Sequence, residues 1–174
     1  MTAGALTLQM REYIAECVGI LEGHIDACYE MAQNLVDVWH QHEKQRKLCE
    51  SLKEELRAKV TAEDIAYSAV KLSDGATSED YMMCLNQIRE ICKSKTQLEI
   101  RLSMAENICQ LRKRALEDNQ RMLNDMHHEI EKLVKDLQQL GSRKYMFTVD
   151  MVELFDDCTK CAIETSPLKV ISSI

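Results

Sequence analysis

A chain of 174 residues with a formal charge of -7 carries five glycines, one proline and two phenylalanines, against plentiful leucine, methionine, glutamate, lysine and alanine. That balance excludes sheet-rich folds, which want aromatic and β-branched residues and frequent turns, and α/β enzymes whose phosphate loops are built of glycine. The acidic charge argues against general affinity for the nucleic-acid backbone and leaves basic protein segments, histone tails among them, as partners.

The first residues, "MTAGALTLQMREYIAEC", lack a basic n-region and a continuous apolar core, so no secretory signal is expected. No apolar run approaches the length of a membrane span, and no membrane association is expected. Eight cysteines could belong to a disulfide scaffold. Such scaffolds are short and loop-rich, whereas the pattern here is helical, which points to a reduced, intracellular compartment.

From Met10 to Val70, alternate steps of four and three residues land on an apolar residue at thirteen of eighteen positions; His24, His42, Gln45, Lys59 and Glu63 are the exceptions. An unbroken 3.5-residue repeat of this length keeps one stripe against a partner helix only in a left-handed supercoil. Cys17, Cys28 and Cys49 lie on this seam and read as small core hydrophobes. His24 and His42, about five turns apart, read as tolerated polar core positions and not as shared metal ligands.

"KLSDGATSEDYM", residues 71–82, breaks the pattern. Asp74-Gly75 is a turn signal, and Gly75 can take the left-handed conformation that ends a helix. Thr77 or Ser78 can cap the next helix, with Glu79 and Asp80 against the positive end of its dipole. Gly75, Thr77 and Ser78 therefore read as a hinge. A second seam runs from Tyr81 to Leu140 and is apolar at fifteen of eighteen positions, Lys95, Arg112 and Asn119 excepted. Cys84 and Cys109 lie on it.

The expected fold is all-α: a long antiparallel two-helix hairpin with arms at about 8–72 and 78–140 and a turn at 73–77. Folding about Gly75 brings Cys49 near Leu102, Cys28 near Leu123 and Cys17 near Leu133. Polar seam residues lower stability but fix register and partner number, so Lys59, Lys95, Arg112 and Asn119 are the candidate register positions. Arg112 and Asn119 are expected to specify the pairing. Val18, Ile25, Trp39, Met83, Ile108, Leu111, Met122 and Val134 add apolar surface beside the seams. That surplus calls for more helices, through a homodimer forming a four-helix assembly or a heteromeric bundle.

Leu140-Gly141 reads as the end of the second arm. Residues 141–174 form a tail with one short helix, which Thr148 could cap and which carries Val149, Val152, Leu154, Phe155 and Ala162. The segment docks on the hairpin, offers a partner-binding handle with Val152 and Phe155 as its contact residues, or stays disordered. Pro167 reads as the end of any helix there. Cys158 and Cys161 make the chain's CxxC, "CTKC". Structural zinc wants four ligands, and "HH" at His127 and His128 has the wrong spacing to complete the set. A thioredoxin-type motif wants a βαβ setting. Incidental helical spacing explains the pair, so no metal or cofactor is expected; a zinc site shared between chains, or a redox-linked module, is the alternative.

No Ser-His-Asp pattern, HExxH, Walker loop, GxGxxG or EF-hand sequence is present, and no enzyme activity is expected. Acidic residues sit beside lysine and arginine at outward heptad positions, as in "KEELRAK" and "HEIEKLVKD". The densest basic run, "LRKRALED", reads as helix-surface ion pairing. Few exposed aromatics are available for base stacking, so direct nucleic-acid binding is not expected.

The order of features resembles the N-terminal helical region of the inhibitor of growth family. "EYIAECVGIL" (Glu12 to Leu21) is similar to that family's opening helix, and "YEM" (Tyr29 to Met31) follows at a comparable offset. "LKEEL" (Leu52 to Leu56), the turn, "LNQIRE" (Leu85 to Glu90) and "KTQLE" (Lys95 to Glu99) recur in the family's order. The chain departs from the family in lacking a proline after the first short helix, in a shorter interval between the last two words, and in lacking the PHD finger. No histone-reading residue therefore carries over. The resemblance implies a dimerising scaffold in a nuclear acetyltransferase or deacetylase complex. The helical pattern alone implies a non-enzymatic coiled-coil scaffold or adaptor, and it equally fits a cytoskeletal, centrosomal or kinetochore subunit.

Overall fold

The computed structural model describes residues 3–72, 77–142 and 149–173. They form four helices: α1 (Ala3–Leu72), α2 (Ser78–Ser142), α3 (Val149–Glu164) and α4 (Pro167–Ser172). Among the described residues there is no strand.

Strong helix formers and the absence of proline allow α1 to run for 70 residues and α2 for 65. Gly19 and Gly23 interrupt α1's helix formers, yet a Cβ added at either meets nothing within 4 Å. They are not there to permit close packing. Thr77 is the cap of α2: its Oγ1 accepts from the Asp80 N–H at 3.4 Å, and its hydroxyl donates to the Asp80 carboxylate at 2.7 Å. Ser78 is the first helical residue. Gly75 lies outside the described residues.

The chain divides into two compact units, Gln41–Arg114 and Met1–His40 with Ala115–Ile174. In both, the predicted seams are the packed faces. Every described seam position is buried or half-buried except Tyr81 and Arg112.

Within Gln41–Arg114, Cys49 and Leu52 of α1 form a core with Leu98 and Ala105 of α2, with Leu56, Leu102 and Cys109 packed against it. Polar contacts fix the sense of the pairing. Gln45 Nε2 donates to the Ala105 carbonyl at 3.0 Å, Lys53 meets Glu106 at 3.2 Å, and Glu63 meets Lys95 at 2.8 Å. From Gln45 to Glu63 along α1 the partners move back from Ala105 to Lys95 along α2, so the two segments run antiparallel. Leu102 packs against the core that holds Cys49, as a fold centred on Gly75 expects, and Cys109 lies beside Cys49 as well.

The second unit draws one core from all four helices. Cys17, Leu21, Ile25, Cys28 and Leu35 of α1 join Leu123, Ile130 and Leu137 of α2, Cys158 and Cys161 of α3, and Val170 of α4. The C-terminal segment is therefore docked, and it holds two helices where one was expected. Pro167 begins α4 instead of ending a helix. At the first helical position its missing N–H would have had no partner, and its fixed φ suits the start. The side chains of Val152 and Phe155, and the expected cap Thr148, lie outside the described residues.

Candidate functional site

Two constellations of polar side chains stand out, one in each unit. In Gln41–Arg114, the seam itself carries charge. Glu63 of α1 and Lys95 of α2, both at seam positions, meet across the helix pair, and Cys92 Sγ adds a contact to Glu63 Oε1 at 3.5 Å. The Lys95 hydrogen bond holds the Glu63 carboxyl below the usual carboxylate range against the opposing effect of burial. The same contact raises Lys95. Each group thus favours the charged form of the other.

The remaining candidate register positions behave differently. Arg112 is exposed and reaches across to α1, where its Nη1 donates to the Gln41 side-chain carbonyl. Lys59 is half-buried on α1. Asn119, in the other unit, donates Nδ2–H to the Ala115 carbonyl of its own preceding turn at 2.8 Å. Its amide is satisfied within α2. Lys95 is the candidate register position that meets an opposite charge across the helix pair, and its partner Glu63 is the lone acid on either seam.

The second constellation fastens the C-terminal helices. Thr165, just past α3, is the one polar residue among the described buried side chains. Its hydroxyl donates to the Cys161 carbonyl at 2.6 Å. With that proton committed, neutral His127 of α2 donates its Nε2–H to Thr165 Oγ1 at 2.7 Å. Cys28 Sγ of α1 is 3.6 Å from the same oxygen, and Cys161 Sγ is 3.9 Å away. At the edge of the contact, Tyr29 OH donates to Glu164 Oε2 at 3.3 Å. One threonine oxygen therefore touches three helices.

Burial sets the protonation states here. It lowers the His127 imidazole below its ordinary value and raises the Cys28 thiol. Cys158 is pushed up to about 11, by burial first and then by Cys161 and Asp157. Tyr29 rises to about 12, again through desolvation first and then the negative charge of its neighbours. Burial thus favours the neutral forms of the Cys28 and Cys158 thiols and of the His127 imidazole, which suits a hydrogen-bonded clamp. A shallow groove of about 280 Å³ beside the clamp is lined by Tyr29, Gln33, Glu164 and Lys169 among others. It lies at the small end of the range that holds ligands.

The "CTKC" cysteines sit in this core, both almost fully buried. Among the described residues, no group of three or more His, Cys, Asp or Glu side chains is arranged to hold a metal ion. No motif singles out Thr165, although its spacing does: Cys158, Cys161 and Thr165 fall at i, i+3 and i+7, one face of a helix. Among the described residues no helix is long and apolar enough to cross a membrane. No protein-family profile, curated protein or solved structure matches the chain.

Proposed function

We propose that the chain is a non-enzymatic helical scaffold that assembles protein partners along its long helices. The observation that carries this reading is the division of apolar surface on those helices. The heptad seams are packed between α1 and α2, while large apolar side chains such as Met104 and Leu111 remain exposed on the outward face. Exposed apolar surface rimmed by polar residues marks interaction sites.

In its more specific form, the scaffold is a coiled-coil hairpin that acts as a homodimer or heteromeric subunit within a nuclear chromatin-modifying complex. The resemblance of Glu12 to Leu123 to the inhibitor of growth helical region supports this form. Affinity purification with mass spectrometry tests it: acetyltransferase or deacetylase subunits are expected, and cytoskeletal or kinetochore proteins would replace the chromatin assignment. Light scattering tests assembly, and a stable monomer at micromolar concentration refutes the homodimer.

A further inference from the structure

Within Gln41–Arg114, α2 presents Leu98, Leu102, Ala105 and Cys109 to α1. A second apolar set lies elsewhere on the same helix: Ile100, Met104, Ile108 and Leu111 are 57%, 61%, 43% and 63% exposed. At about 100° per residue, these four fall within an arc of about 80°, turned roughly 135° from the α1-facing stripe. They make a continuous seam about 16 Å long.

The charges beside this seam share one sign. On the helical wheel, Arg101 and Arg112 border one edge and Arg114 the other, all exposed. Between residues 99 and 111 of α2 the carboxylates are Glu99 and Glu106, about 100° or more beyond the edge of the arc; Asp118, four residues past Arg114, pairs with Arg121 at 3.5 Å. Glu106 is also engaged by Lys53 at 3.2 Å. Among the described residues, Arg112 donates to the neutral Gln41 amide and makes no ion pair. Arg101 and Arg112 along one edge of an apolar seam that holds no carboxylate between residues 100 and 111 of its arc, with Arg114 at its end, form a complementary surface for one kind of ligand. A second copy offering the same seam would bring arginine against arginine, a like-charge cost that disfavours self-pairing here.

We propose that this face of α2 docks an acidic amphipathic helix from a partner protein. Its apolar stripe packs on Ile100, Met104, Ile108 and Leu111, and its carboxylates pair with Arg101, Arg112 and Arg114. The proposal rests on the scaffold reading and names the chemistry of its partner.

The test titrates the full chain with a labelled helical peptide of about three heptads, leucine at a and d and glutamate at e and g. A second peptide carries lysine at e and g, and phosphatidylserine-containing vesicles form a third arm. The glutamate peptide is expected to bind about tenfold or more tightly than the lysine peptide, with affinity falling as salt rises. Ile108→Glu should weaken that binding about tenfold or more, and Arg101→Glu with Arg112→Glu should invert the peptide preference. All three positions are exposed, so helicity by circular dichroism should be unchanged. Failure to bind either peptide, equal affinity for both, indifference to Ile108→Glu, or preferential uptake on vesicles each overturns the proposal. Using Ile108→Glu as bait in the affinity purification separates the two ideas. Specific partners retained by the variant sink this site and spare the scaffold, whereas no specific partner on the unaltered chain sinks the scaffold.

Discussion

Replacing Thr165 by valine keeps the shape of the side chain and removes only its hydroxyl, so no cavity opens. The Cys161 carbonyl keeps its helical bond from the Thr165 N–H at 2.9 Å and is not orphaned. The loss falls on His127, whose Nε2 has Thr165 Oγ1 as its partner at 2.7 Å. A net hydrogen bond contributes about 1 kcal/mol, and stranding a desolvated donor costs about 1–3 kcal/mol. Because His127 is only half-buried and water reaches part of the ring, the lower part of that range applies, about 1–2 kcal/mol. Hydrogen exchange by mass spectrometry over α3 and α4 reads the effect locally, and urea unfolding reads it globally. In a His127→Leu background the donor is already gone, so Thr165→Val should cost about 0.5 kcal/mol or less, a coupling of about 1 kcal/mol. Equal costs in the two backgrounds would refute the clamp and leave Thr165 as a packing residue.

Docking of the C-terminal helices should depend on pH. Burial holds the folded His127 below its ordinary value of 6.5, so the folded state binds fewer protons than the unfolded state. Stability is therefore complete above about 6.5 and falls as the pH descends through the folded value; a pH series of exchange rates in which His127→Gln fails to flatten that limb counts against it. Gly19→Ala and Gly23→Ala each place a methyl in open space and should stabilise α1 by about 1 kcal/mol in thermal unfolding. Glu63→Lys should lower the melting midpoint by setting like charges together, and Lys95→Glu in the same chain should recover most of the loss. If the double variant melts no higher than Glu63→Lys, Glu63 and Lys95 do not stabilise the helix pair through each other.

Much of the fold was legible because the heptad pattern depends only on local spacing. Both seams and the Thr77 cap follow from residue type and period. The polar contacts across the pair, such as Glu63 with Lys95, were harder to read, because the partners are remote in sequence and the apolar repeat does not distinguish one heptad from the next. The clamp was hidden for a different reason. Thr165, His127 and Cys28 are each unremarkable in their local segments, and their meeting depends on how the C-terminal helices dock. Pro167 was misread because proline marks both the end of one helix and the first position of another.

The apolar residues beside the seams have two fates, and the difference has a physical cause. In the unit that contains the C-terminal helices, Ile25 is buried, and Val18 and Val134 pack against the core. Cys161 Sγ stands 4.0 Å from the Ile25 carbonyl, so α3 supplies cover over α1 there. In Gln41–Arg114, the core is drawn from α1 and α2 alone, and Ile108 and Leu111 stay exposed. Both sets arise from the same excess of apolar residues over what a two-helix seam can bury. Where the chain has its own third and fourth helices, part of that excess becomes core, although Met122 stays exposed. Where it does not, the excess persists next to Arg101, Arg112 and Arg114, and covering it requires a helix from elsewhere whose charge is opposite to theirs.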